Sequence, residues 1–148
     1  MERYYLDTSA LARWYINEPL SATVEAFIQA HAPLDISSLT VTEMRCLLAR
    51  RRRNDNFEAT LEHRIFATFQ QDIKQGHLRL HMFEDDHLKT ATTLISRLPE
   101  IPLRTLDALH LAIAVEIGAT TVVTSDTIMS KAATALDLEA ILFTVPRK

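Results

Sequence analysis

The segment Tyr4-Tyr5-Leu6-Asp7-Thr8-Ser9-Ala10-Leu11 lies close to the N-terminus and has the pattern of a short apolar strand that ends on an aspartate. Small hydroxyl residues follow, and a helical pattern begins directly after them. In α/β proteins, the carboxyl ends of parallel strands form the edge at which functional groups gather. The segment therefore predicts an α/β fold with Asp7 at that edge, although an aspartate here is an equally good N-cap for the helix.

The rest of the chain alternates between strand-like and helical segments. Short apolar runs predict further strands at 34–37, 78–83, 121–124 and 140–143. Helical patterns cover 9–16, 21–31, 39–53, 57–75, 85–98, 105–117 and 127–136, and a polar turn is predicted at 54–56. Such alternation is typical of a parallel sheet with helices on both faces. We expect one α/β domain over residues 1–148, with about five parallel strands that are buried on both sides.

The composition restricts the class of protein. The 148 residues include 16 Lys and Arg against 19 Asp and Glu, and the net charge of −3 argues against wrapping of nucleic acid by bulk charge. A local basic patch would still permit nucleic-acid binding. No apolar run reaches the roughly 18–20 residues that cross a bilayer. Because Met1–Arg3 leads directly into a predicted strand, we expect no signal peptide. We expect a cytoplasmic protein that does not associate with membranes.

Three aspartates are candidates for a functional site, and each has a structural alternative. Asp7 and Asp126 both follow predicted strands, where capping of the next helix would also explain them. Asp107 lies in the first turn of an almost entirely apolar helix. The positive helix end, with Arg104 as a neighbour, would account for it equally well.

Glu43 is harder to explain as a structural residue. It lies on the same side of its predicted helix as Leu39 and Leu47, and no basic residue stands within one turn of it. A carboxylate on a partly apolar face is costly unless a positive group meets it. Arg50 is on the same stripe, but it lies about 10 Å further along the helix axis. We therefore interpret Glu43 as a functional residue.

Parallel strands end at one edge of the sheet, and the helices that follow them begin there. The sequence therefore predicts that four acids converge at this edge: Asp7, Glu43, Asp107 and Asp126. Carboxylates this close repel one another unless a cation neutralises them. All-oxygen ligands favour Mg²⁺ or Mn²⁺, and such ions activate water for attack on a phosphate. Because no obvious general-base His or nucleophilic Cys accompanies the acids, metal-activated water is the expected nucleophile.

Four motifs together resemble the PIN domain family, and within it the VapC ribonuclease toxins of type II toxin–antitoxin modules. They are Leu6-Asp7-Thr8-Ser9-Ala10-Leu11, Thr42-Glu43, Leu106-Asp107-Ala108-Leu109-His110-Leu111-Ala112 and Val123-Thr124-Ser125-Asp126. The resemblance spans nearly the whole chain. It implies a five-stranded parallel sheet, Mg²⁺- or Mn²⁺-dependent endonucleolytic cleavage of RNA, a cognate VapB-type antitoxin as inhibitor, and a homodimer.

The resemblance also assigns roles to individual residues. Asp7, Glu43, Asp107 and Asp126 match the acidic quartet of the family, and Thr8, Ser9 and Thr124 match the hydroxyl positions that orient the acids. One departure is visible. Many members carry a Phe shortly after the fourth acid, whereas this chain has Ile128-Met129.

Other functions are compatible with parts of the pattern. An aspartyl-phosphate hydrolase also begins with Asp at the end of its first strand, but it needs a second acid where this chain has Ser9. A PIN-fold RNA-processing nuclease without an antitoxin, and a non-catalytic PIN-fold binding module, remain as alternatives. The run Arg50–Arg53 could contact an RNA backbone or be a solvated helix end, and Arg50 is its best candidate for RNA contact. His110, three residues after Asp107, could approach the acids, but we expect a partly exposed polar residue there.

Overall fold

The computed structural model describes residues 1–54 and 56–144. Within them, five strands form one sheet: β1 (Tyr4–Leu6), β2 (Leu34–Ser37), β3 (Leu78–His81), β4 (Thr121–Thr124) and β5 (Glu139–Leu142). Seven helices accompany the sheet: α1 (Thr8–Tyr15), α2 (Ser21–His31), α3 (Ser38–Arg53), α4 (Ala59–Lys74), α5 (Asp85–Arg97), α6 (Thr105–Glu116) and α7 (Thr127–Ala135). The predicted alternation of strands and helices is confirmed.

Most element boundaries agree with the sequence pattern to within one or two residues. The largest differences are two residues: α4 begins at Ala59 rather than Phe57, and β3 ends at His81 rather than Phe83. The predicted turn at 54–56 includes Asp55, which lies outside the described residues.

The sheet is parallel throughout, and its strand order is β3-β2-β1-β4-β5. In this order, the chain winds outward from β1 in one direction and then outward from β4 in the other. The switch point therefore lies between β1 and β4, where the connections leave in opposite directions and open a crevice at the carboxyl edge. Asp7 directly follows β1, and Asp126 lies two residues beyond β4.

Helices cover both faces of the sheet, as predicted. Leu6 packs with residues of α1–α4 on one face, whereas the adjacent Tyr5 packs with residues of α5–α7 on the other. This opposition follows from the alternation of side chains along a strand. The inner strands β2 and β4 are fully buried, but the edge strands β3 and β5 carry exposed residues, so burial on both sides holds only for the middle of the sheet. Among the described helices, none has the length and apolar character needed to span a bilayer.

Candidate active site

The carboxyl edge of the sheet opens into a cavity of about 410 Å³. Its lining includes all four acids singled out from the sequence, namely Asp7, Glu43, Asp107 and Asp126. Each acid comes from a different part of the fold: the end of β1, the second turn of α3, the first turn of α6 and the segment after β4. The structure therefore brings together four carboxylates that are up to 119 positions apart, from 7 to 126, in the chain.

Asp7 is held by hydroxyl groups. Its side chain is 6% exposed, and its Oδ2 accepts hydrogen bonds from Ser9 Oγ and Thr124 Oγ1, each at 2.8 Å. Asp7 occupies the N-cap position of α1, but its side chain makes no capping bond, so helix capping does not account for its carboxylate. Burial raises the pKa of Asp7 against the opposing effects of His110, Thr124 and Ser9. The protein thus holds this carboxyl group where water stabilises its charge poorly.

Asp126 combines a capping bond with a place at the cavity. Its Oδ1 accepts a hydrogen bond from the backbone N–H of Ile128 at 2.8 Å, so the capping interpretation is correct for one of its two oxygens. Its own backbone N–H donates to Thr124 Oγ1 at 3.0 Å. Because Thr124 also binds Asp7, one threonine side chain links the two aspartates that follow β1 and β4.

Glu43 has its partners across the fold rather than along its helix. Its Oε1 accepts hydrogen bonds from Thr8 Oγ1 at 3.0 Å and from His110 Nε2, whereas Arg50 forms no ion pair with it. Thr8 therefore orients Glu43 and not its sequence neighbour Asp7. Burial would raise the pKa of Glu43, but the hydrogen bond and charge of His110, together with Thr8, outweigh it and lower that pKa.

His110 is not the partly exposed residue that the sequence predicts, and it lies beside the acids, as the sequence left open. It is 1% exposed rather than partly exposed, and its Nδ1 lies 2.6 Å from the hydroxyl oxygen of Tyr5. Burial lowers the pKa of His110, but the hydrogen bond to Glu43 and the charges of Asp7, Glu43 and Asp107 raise it overall. The available signal was a single polar side chain in the otherwise apolar run from Ala108 to Ala114.

Asp107 faces like charges. It is half-buried, and its pKa is raised first by burial and then by the negative charges of Asp126 and Asp7. Arg104 does not pair with it through its side chain in the described part of the chain. Instead, Arg104 and Arg50 line the same cavity as the acids. The site is therefore a cluster of carboxylates with two guanidinium groups around it.

The arginines that follow Arg50 are used differently. Arg51 pairs with Glu18, and Arg52 pairs with Glu62 at 2.6 Å. Neither of them lines the cavity. The arginines of this run therefore have different surroundings: Arg50 lines the acidic cavity, whereas Arg51 and Arg52 form ion pairs with residues outside α3.

The donor set at the cavity fits a hard divalent cation. Asp7, Glu43 and Asp126 each accept hydrogen bonds through only one of their two carboxylate oxygens. In each of them, no donor from the described residues binds the second oxygen. Free carboxylate oxygens are the ligands that Mg²⁺ and Mn²⁺ prefer. As the side chains stand in the described residues, no three Asp, Glu, His or Cys groups are already close enough to hold an ion. A cation would relieve the repulsion that raises the pKa of Asp107.

A doubly wound parallel sheet with a carboxylate cavity at its switch point defines a class of small α/β protein with an acidic site. A comparison with known families identifies the family to which the chain belongs. Residues 4–135 match the PIN domain, and the chain belongs to the PIN domain family. A sequence search of curated proteins gave no match.

Solved structures share the fold at low sequence identity. The chain is similar to Mycobacterium tuberculosis VapC20, a sarcin-ricin loop cleaving toxin, with 20% identity and a TM-score of 0.71 over 87% of this chain and 94% of that one. It is similar to DNA-bound VapBC from Salmonella typhimurium, with 17% identity and a TM-score of 0.67 over 95% and 97% of the two chains. It is also similar to FitAcB from Neisseria gonorrhoeae, with 18% identity and a TM-score of 0.69 over 93% and 96%.

Proposed function

We propose that this protein is a Mg²⁺- or Mn²⁺-dependent endoribonuclease, the toxin of a VapBC-type toxin–antitoxin module. The observation that carries the proposal is the convergence of four carboxylates from four elements on one cavity in a PIN domain. The structural similarity to VapC20, which cleaves the sarcin-ricin loop, supports RNA as the substrate.

Asp7, Glu43, Asp107 and Asp126 would hold the cation through their carboxylate oxygens. When bound, a divalent ion of this kind activates water and stabilises the leaving oxygen of a phosphodiester. The residues around the acids keep them in place: Thr124 bonds to Asp7 and to the backbone of Asp126, and Thr8 bonds to Glu43. The acids are thus ordered before substrate arrives, which is the arrangement that favours catalysis.

Arg50 and Arg104 supply the positive charge that an RNA backbone requires. Four carboxylates alone would repel a polyanion, and a bound cation offsets only part of that repulsion. Guanidinium groups bind phosphate through paired N–H donors. We therefore propose that Arg50 and Arg104 contact phosphates on the strand that enters the cavity.

The partners follow from the same proposal. A VapB-type antitoxin would inhibit the enzyme, a homodimer would be the assembled form, and the cytoplasm, where RNA is available, would be the site of action. Similarity to chains of VapBC and FitAcB supports the antitoxin as partner.

The test is RNA cleavage by the purified protein. We expect cleavage with Mn²⁺, loss of cleavage with EDTA, and loss of cleavage in Asp7→Asn. Asp86→Asn is the matched control, because Asp86 is an exposed acid in the first turn of α5 that does not line the cavity. It should cleave as the wild type does.

Each alternative has its own result. Cleavage that survives Asp7→Asn would refute the site assignment. Mn²⁺ binding without cleavage of any RNA would support a binding module instead. Cleavage by a protein whose neighbouring gene encodes no small partner would support a PIN-fold processing nuclease.

A further inference from the structure

Glu43 and His110 form a buried contact between two helices. His110 is 1% exposed on α6, and its Nε2 is hydrogen-bonded to Glu43 Oε1 on α3. The side chain of Glu43 is 26% exposed and lines the acidic cavity, whereas that of His110 is 2% exposed and does not line it. His110 therefore approaches Glu43 from behind, on the side away from the cavity.

The other side of the imidazole is also fixed. Its Nδ1 lies 2.6 Å from the Tyr5 hydroxyl, and that hydroxyl donates to Ser37 Oγ at 3.0 Å. Tyr5 and Ser37 belong to β1 and β2 at the centre of the sheet, and both are buried. With both ring nitrogens bound, the imidazole can neither rotate nor flip without losing a hydrogen bond. The position of Glu43 is thereby tied to the sheet.

The hydrogen bonds of Glu43 are distributed unequally between its oxygens. Oε1 accepts both from His110 and from Thr8, and no described residue donates to Oε2. Ligating carboxylates are commonly hydrogen-bonded by residues behind them, and a bond to one oxygen fixes the direction of the other.

We propose that His110 is a positioning residue that holds Glu43 by Oε1, so that Oε2 is available to bind a divalent cation. This inference rests on the metal-dependent function proposed above, and it assigns His110 no contact with RNA or with the reacting atoms. Residues behind metal ligands typically contribute about 10–100-fold to metal affinity.

The chain contains a matched control for a purely structural role. His87 is also a buried histidine, at 4% exposed, and its Nε2 also bonds a glutamate, Glu116. Its Nδ1 accepts from the backbone N–H of Glu84 at 2.8 Å, so both of its ring nitrogens are bound as well. Neither His87 nor Glu116 lines the acidic cavity. Loss of either histidine should lower stability, but only loss of His110 should alter metal binding.

The experiment measures the dissociation constant of Mn²⁺ by calorimetry on the full chain, together with urea unfolding of each variant in EDTA. We expect His110→Leu to weaken Mn²⁺ binding about 10–100-fold. His87→Leu should bind Mn²⁺ as the wild type does, although it loses stability. His110→Gln, which keeps an N–H donor, should retain part of the affinity and is the variant to use if the leucine variant does not fold.

A double-mutant cycle tests whether His110 acts through Glu43. Glu43→Gln should weaken Mn²⁺ binding by itself, and adding His110→Leu to it should cause no further loss. Equal losses in both backgrounds would overturn the proposal. So would unchanged or tighter binding in His110→Leu and His110→Gln. A wild-type protein that binds no Mn²⁺ would refute the metal site itself, and the role of His110 with it, whereas binding that ignores His110 refutes only the present inference.

Discussion

Replacement of Thr124 by valine should destabilise the protein, because one buried hydroxyl serves both strand-end aspartates. Thr124 is 0% exposed, and its Oγ1 donates to Asp7 Oδ2 at 2.8 Å while it accepts from the Asp126 backbone N–H at 3.0 Å. Valine has nearly the same shape as threonine, so Thr124→Val removes these two bonds, and a 3.2 Å contact with Ser9 Oγ, without opening a cavity.

The size of the effect can be worked out from these contacts. A hydrogen bond to a charged group contributes about 1.5–3 kcal/mol, and a buried N–H that loses its partner costs about 1–3 kcal/mol. The N–H of Asp126 is only partly buried, so its loss belongs at the low end. Burial of a methyl group in place of the hydroxyl returns about 0.8 kcal/mol. We expect a net loss of about 2 kcal/mol, which corresponds to a Tm lower by about 4–8 °C in a domain of this size.

Urea unfolding in EDTA measures this loss, and Thr121→Val is the matched control. Thr121 is on the same strand and 1% exposed, but the contact of its hydroxyl is a 3.5 Å approach to Thr120 Oγ1. Its replacement should therefore not destabilise the protein, and the added methyl group should raise the unfolding free energy by at most about 0.8 kcal/mol. If the two variants lose the same free energy with unchanged m-values, Thr124 does not hold the aspartates as argued.

Two further predictions concern the charges at the cavity. Arg50→Ala and Arg104→Ala should each weaken binding of single-stranded RNA in EDTA and reduce the slope of log K against log salt by about 0.7, as expected for one lost phosphate contact. Arg53→Ala at the exposed end of α3 is the control, and an equal effect in all three variants by fluorescence anisotropy would contradict the assignment. Because burial raises the pKa of Asp7, its ionisation destabilises the metal-free fold as pH rises above about 4, the pKa of an unfolded aspartate. Asp7→Asn should therefore raise the urea midpoint in EDTA at neutral pH, with a gain that shrinks toward pH 4, and an unchanged midpoint at neutral pH would refute this.

The sequence was sufficient to predict which acids meet. Asp7 and Asp126 follow apolar runs, and parallel strands share one carboxyl edge, so local pattern and topology together determine that they are neighbours. Glu43 was recognisable because a carboxylate beside Leu39 and Leu47 has no partner on its own helix. These inferences need only the hydrophobic periodicity and the rule that parallel strands end at the same edge of the sheet.

The partners of the acids could not be predicted in the same way. His110 is 67 positions from Glu43 in the chain. Because α6 is apolar nearly all round, the hydrophobic periodicity does not show which way the His110 side chain points. Thr8 is next to Asp7 in the sequence, yet the first turn of α1 directs its hydroxyl to Glu43. Both contacts have one cause: helix packing, rather than local pattern, decides which donor reaches which oxygen.

A buried acid away from the cavity offers a comparison. Asp35 on β2 is 0% exposed, and Arg79 binds both of its oxygens, Oδ1 and Oδ2, each at 3.1 Å, with His81 on Oδ1 as well. Both carboxylate oxygens of Asp35 therefore have protein partners, and neither is left to bind a cation. Asp7 and Glu43 are held by hydroxyls and an imidazole on one oxygen only. The pairing at the cavity is therefore incomplete where that of Asp35 is complete, and the divalent cation proposed above would complete it.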